Sequence, residues 1–299
     1  MNKTVKAVRL AILLLLIAGT LTAVYLMKMG MAEGLVRFLR ENRRSFPRKP
    51  KAFTPLHYSF IVLCIFFVIG AIHWGSSLPR DGERRQRIID RVVFLCGIAF
   101  GVMEVYKQIY SFYALSSGTY DFGIFPLQFC SLPIYFCLVA PILPRGRAQD
   151  ACYRFLALFC TVGGYLVIGY PSLAVDLYLS MHTMVWHILM VALGAFLLMA
   201  CDCGRSFRRD MIPTSLIFLG SCALATLLNV LMKDLGANHF YMSPYQLTTF
   251  VIIRDIQSAC GWGVAMTAYV LAFLLVGAFP LWLLGRLAIR IREGKDGRT

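Results

Sequence analysis

Cys130 is the residue whose surroundings best equip it for covalent chemistry. It lies in the stretch Phe125-Pro-Leu-Gln-Phe-Cys-Ser-Leu-Pro-Ile-Tyr135, which opens an apolar segment yet carries two prolines, an amide, a thiol and a hydroxyl. Hydrocarbon offers no hydrogen bonds, so polar groups at that depth should face protein or a water-filled cavity. A thiol needs a neighbouring base to become a thiolate, and a cysteine–histidine pair supplies one. Two of the five histidines, His182 and His187, fall within a single apolar segment downstream.

The elements that must position these groups are membrane helices. The 299 residues are 59% hydrophobic with a mean hydropathy of +0.68, whereas a soluble domain sits nearer about 45–50% apolar. Several runs of roughly 17–23 residues have few or no charges, the length of a bilayer-spanning helix. The expected fold is an all-α polytopic transmembrane helix bundle of about eight membrane segments, a first anchor plus a core of about seven. The net charge of +15 does not point to nucleic acid, because the basic residues cluster between apolar runs, where headgroups favour them.

The segments fall at about 10–27, 56–76, 92–114, 124–143, 155–170, 179–200, 211–232 and 262–284. Residues 1–52 form a hydrophobic anchor and basic linker, with an interfacial helix expected near Leu35–Asn42. Residues 53–299 form the multi-helix domain with a basic tail. Residues 245–260 hold Arg254 and Asp255 and are expected at the interface or packed on the bundle. Of the 30 Lys and Arg, 19 lie in the N-terminus, 77–91, 144–154, 201–210 and the tail, which places that side in the cytoplasm of a cell membrane. The linker at 28–55 departs from this bias, with eight basic residues on the outer side.

At about 1.5 Å of rise per residue, Cys130, His182, His187, Asn229 and Glu104 fall ~5–15 Å below the outer boundary, with His57 near it. Polar groups from five helices at similar depth describe a site open toward the outer leaflet. Each also has a plainer reading. A buried cysteine is usually inert, Glu104 and Lys107 are spaced to neutralise each other on one helix face, and Asn229 can serve as interhelical glue. Cys96, Cys137 and Cys160 lack polar company and belong to packing. Cys201-Asp202-Cys203 has no second pair with which to build a zinc site, and no cofactor motif is present. No metal or cofactor is expected.

The order of motifs resembles the YwaF-like bacterial membrane proteins, which are related to the transmembrane protein 164 type of acyltransferase. The matching residues are Phe53-Thr-Pro-Leu-His57, Glu104 with Lys107, Pro126-Leu-Gln-Phe-Cys130-Ser131, His187, and Asn229 through Asn238 to Tyr241. The resemblance implies Cys130 as acyl acceptor and His187 as its base, with His182 as runner-up. Gln128, Asn229, Glu104, Lys107, His57 and Asn238 then become substrate, oxyanion or support residues. The implied activity is acyl transfer on membrane phospholipids through a cysteine thioester. A transporter, or a non-enzymatic membrane protein using the same polar cluster, is the rival reading.

Overall fold

The computed structural model describes residues 3–79, 81–116 and 120–296. Arg80, Arg298 and residues 117–119 lie outside the described residues. Among the described residues the chain is helical, with only an isolated antiparallel bridge between Ser45 and Asp176. The helices are α1 (Lys3–Lys28), α2 (Glu33–Glu41), α3 (Pro55–Ser76), α4 (Gly82–Tyr110), α5 (Leu132–Val139), α6 (Arg147–Phe155), α7 (Thr161–Gly169), α8 (Leu177–Ala200), α9 (Phe207–Leu231), α10 (Val251–Cys260), α11 (Trp262–Leu271) and α12 (Phe279–Asp296). A π-helical stretch joins α6 to α7, and another joins α11 to α12.

Six helical stretches are long and apolar enough to cross a membrane: Thr4–Lys28, Pro55–Ser76, Arg147–Gly169, Leu177–Ala200, Phe207–Leu231 and Trp262–Gly294. Of the remaining two expected segments, the third is α4, which carries Glu104 and Lys107. The fourth is the shorter apolar stretch Phe129–Ile142. The protein is a polytopic helical bundle with α8 and α6–α7 at its centre, while α1 and α3 keep most of their surface facing outward.

Local chemistry explains where the helices begin. The Asp81 carboxylate accepts the Glu83 N–H at the start of α4, and Asp176 accepts the Leu179 N–H at the start of α8. Both act as N-caps for otherwise unpaired donors. Pro55 opens α3 in the first turn, where its missing N–H costs nothing.

Helix crossings depend on small residues, because apolar area drives little association in lipid and close packing must do it. A Cβ on Gly75 would lie 2.6 Å from the Phe196 carbonyl, and one on Gly97 would lie 2.9 Å from Cys137 Cβ. At Gly194 there is no room at all, since its Cβ would overlap the Thr161 hydroxyl.

α1 runs the full length of the bundle. Arg9, near its start, donates to the Pro141 carbonyl and lies beside Asp90. Met27, near its end, packs with Leu39 and Tyr110. The separation of these anchors corresponds to ~27 Å of helix, close to the thickness of a bilayer core. The helix expected near Leu35–Asn42 is α2, with Leu39 turned inward and Leu35 and Phe38 exposed. α10 has no buried residue and packs on α11.

The loops sort to two ends as the charge count requires. At one end Asp202 pairs with Arg85 and Arg292, Asp150 with Arg209 and Glu83 with Arg145, drawing 77–91, 144–154, 201–210 and the tail together. Burial alone would raise the Asp202 carboxyl, but the Arg292 and Arg85 guanidinium groups hold it below its ordinary value. At the other end Asp176 binds Arg43 and the Tyr110 hydroxyl. The neighbouring bridge fixes the basic linker, with Phe46 N–H donating to Val175 O and Leu177 N–H to Arg44 O.

Candidate active site at the broken fourth segment

The fourth segment is not one helix. Pro133 sits in the first turn of α5, where proline belongs, because an interior position would clash with the preceding turn. Everything before it is irregular: a 3-10 turn at Phe122–Ile124, a bend at Pro126 where the Leu127 N–H donates back to the Phe125 carbonyl, and a second 3-10 turn at Phe129–Ser131. Cys130 therefore lies at a loop-to-helix junction rather than on a helix, as the continuous segment had implied. Such backbone survives at membrane depth only when protein satisfies it.

Here that satisfaction comes from Trp186, whose indole N–H donates to the Cys130 carbonyl at 2.9 Å. Phe129 is the packing anchor beside it. Its ring meets Phe218, Phe240 and Phe273 with centroids 5.0–5.7 Å apart. Gly163 on α7 leaves it room, since a Cβ there would lie 2.9 Å from the Phe129 ring. Cys130 is a free cysteine, and the residue as a whole is half-buried. Glu104 and Lys107 are near enough to act on it electrostatically.

His187 follows Trp186 on α8. Its Nδ1 lies 2.6 Å from the Thr183 carbonyl one turn earlier. A carbonyl can only accept, so Nδ1 carries the proton and Nε2 keeps a lone pair. That Nε2 is buried and has no partner among the described residues. His182 Nε2 is likewise buried with no partner among the described residues. Its ring stacks on Trp186 at 5.2 Å. No hydrogen bond joins the Cys130 sulfur to either imidazole.

Glu104 and Lys107 form the expected intrahelical pair at 2.8 Å, and Gln108 donates to the same carboxylate oxygen. The other oxygen, Glu104 Oε2, is buried without a partner among the described residues. Unpartnered atoms on Glu104, His182 and His187 mark a polar interior around α4 and α8.

The other expected site residues are engaged elsewhere. Both Gln128 amide hydrogens go to carbonyls, of Gly123 and Asn238, and its oxygen accepts the Phe240 N–H. Both ends of the Asn229 amide are bound to the His239 backbone. The Asn238 oxygen accepts the Ser243 N–H. Gln128 has no donor free for an oxyanion, and Asn229 gives one of its two amide hydrogens to the His239 carbonyl. Together they hold the 238–243 turn, in which Phe240 and Tyr241 both adopt positive φ of 56°, a costly conformation for aromatic residues. His57 is completely buried, taking the Phe53 N–H on Nδ1 and bonding Ile168 O through Nε2. It ties α3 to the end of α7, and none of its bonds reaches the Cys130 group.

Sequence reasoning passed over Trp186 and Thr183. Thr183 had a legible signal, because it stands four residues before His187. Trp186 had none, since only the fold shows that its N–H meets a broken segment distant in sequence. Among the described residues no group of three or more His, Cys, Asp or Glu could hold a metal ion.

A multi-pass bundle with a thiol at a broken segment, two imidazoles whose Nε2 atoms have no partner among the described residues, and a Glu–Lys pair is the class of protein that fold and site define. The chain belongs to the TMEM164 family, which it matches over residues 52–285, so α1 and most of the basic linker precede the shared region. Comparison with curated proteins and with solved structures gave no match.

Proposed function

We propose that this protein is an integral membrane acyltransferase that moves a fatty acyl chain between phospholipids through a Cys130 thioester. The observation that carries the reading is the state of His187: a proton held on Nδ1 by Thr183 O and a bare, buried Nε2, one residue from the side chain that holds Cys130. That is the tautomer a general base requires. Catalytic hydrogen bonds are often long before substrate arrives and tighten on binding, which fits an unbonded thiol and imidazole.

His187 Nε2 takes the thiol proton as sulfur attacks the ester carbonyl. The tetrahedral adduct then expels the glycerol oxygen, which leaves as a lysophospholipid hydroxyl carrying the proton from His187. A second lipid hydroxyl, or water, loses its proton to His187, attacks the thioester and releases the acyl chain, and the thiol is restored. A thiolate formed at this point lies near the N-terminal end of α5, where the helix dipole favours an anion. Glu104 and Lys107 act as electrostatic support, with His182 as second imidazole. The Lys and Arg distribution supports a cytoplasmic tail in the cell membrane and a site toward the outer leaflet.

The test is to incubate purified protein with acyl-labelled phospholipid. Wild type should gain a hydroxylamine-sensitive label that Cys130→Ala lacks. Equal labelling of Cys130→Ala removes the nucleophile and leaves the non-enzymatic reading.

A further inference from the structure

The basic linker that departs from the charge bias lies over a cavity. Between α2, α4 and α8 is a space of about 290 Å³, walled by Phe38, Leu39, Tyr106, Tyr110, Tyr178 and Met181, with Asn42 and Arg44 also lining it. The size falls at the low end of small-ligand pockets. Its walls are apolar and aromatic, and it opens at the Asp176 end of the bundle, beside α2.

Three features specify an occupant. First, Arg44 is held in place by its backbone, because its carbonyl accepts the Leu177 N–H next to the Ser45–Asp176 bridge. Its guanidinium nevertheless has no partner among the described residues. Arg43, by contrast, is taken by Asp176, and Arg40 by the Tyr113 carbonyl. Second, the linker holds eight Lys and Arg against two Glu, a surplus that attracts lipid phosphates. Third, a chain of aromatic rings runs inward from the cavity wall along one face of α8. Tyr106 meets Tyr178 at 4.7 Å, Tyr178 meets His182 at 5.9 Å, and His182 stacks on Trp186 at 5.2 Å. Residues 178, 182 and 186 are spaced four apart and so share a face. The last of them bonds the Cys130 carbonyl. From Tyr178 to Trp186 this row of rings spans ~12 Å of helix.

We infer that this cavity is the portal for a glycerophospholipid, with the phosphate at Arg44 and Asn42 and an acyl chain directed along the Tyr178–His182–Trp186 face toward Cys130. The inference rests on the acyl-transfer reading for its direction of travel, but lipid occupancy can be measured without any chemistry. It also gives the eight basic residues a role on the side where the charge rule disfavours them.

The experiment uses full-length protein in phosphatidylcholine–phosphatidylglycerol liposomes containing a phosphatidylcholine with a diazirine in one acyl chain. After irradiation, adducts are mapped by peptide mass spectrometry. Adducts should concentrate at Tyr106, Tyr178 and Met181 in both wild type and Cys130→Ala. Met181→Trp, which fills the space, should remove them while the protein keeps its elution profile. Arg44→Gln, an exposed change that leaves the core untouched, should lower them about five-fold, the worth of one basic side chain near a lipid phosphate. Adducts spread over the outward faces of α1 and α3 without enrichment at the cavity would overturn the portal, as would adducts that survive Met181→Trp. A mapped portal without a Cys130 label defeats the thioester alone, and a Cys130 label without a mapped portal defeats the portal alone.

Discussion

The indole N–H of Trp186 and the carbonyl of Cys130 are 2.9 Å apart, so the residue just before the proposed base holds the proposed nucleophile from 56 positions away. This bond satisfies a carbonyl that α5 starts too late to pair. Trp186→Phe keeps the ring against Phe100, now 4.7 Å away, and removes only the donor. Leaving that carbonyl unpaired should destabilise the protein by about 1–3 kcal/mol. A lowered thermal midpoint in detergent, with acyl labelling reduced further than unfolding explains, is the expected result.

His187 separates base from scaffold cleanly. His187→Asn can still donate to the Thr183 carbonyl but has nothing at the Nε2 position. The protein should fold with wild-type stability, while acyl labelling falls by about 100-fold or more, the usual contribution of a general base. An equal loss in His182→Asn with His187→Asn near wild type would exchange the roles of the two histidines.

Asn229 is expected to act through the 238–243 turn. Asn229→Leu leaves the His239 N–H and carbonyl unpaired in a buried place, at a cost of about 1–3 kcal/mol for each group. Hydrogen exchange should rise first at Asn238 to Ser243, because that segment already carries strained φ at Phe240 and Tyr241. Protection elsewhere in α9 should change little.

Gly194→Ala should be among the most damaging small changes in the chain. The new methyl would occupy the space of the Thr161 hydroxyl, which is itself bonded to the Ala157 carbonyl. Overpacking of this kind costs about 1–3 kcal/mol or more. Adding Thr161→Ala should recover part of the lost melting temperature, while Thr161→Ala alone should cost less than Gly194→Ala.

Asp202 gives the end opposite the site an acid limit. Its carboxyl is held below the ordinary value by Arg292 and Arg85 against the effect of burial. A depressed carboxyl adds stability that is fully present above the unfolded value and is lost as pH falls through the folded one. The melting temperature should therefore fall as pH drops below about 4. Asp202→Asn should melt lower at neutral pH and show a shallower acid slope.

Much of this architecture was legible before any fold was known, because a bilayer imposes its demands locally. Apolar length gave the spans, the spacing of Glu104 and Lys107 gave their pairing, and alternating basic loops gave the two ends of the bundle. The amphipathic α2 could also be read from Leu35–Asn42. Cys130 stood out because a thiol, an amide and two prolines in an apolar run ask for protein partners.

What the partners are was decided only by tertiary structure. Whether Pro133 kinks a helix or starts one depends on what pairs the preceding carbonyls, and here that is an indole from α8. Gln128, Asn229 and His57 looked like site residues by type and depth. They became struts because their amide and ring groups are engaged by backbone that packing brings to them. Residue type and depth along a helix are properties of the chain, whereas which donors remain unfilled depends on every neighbour at once, and neighbours exist only in the folded bundle.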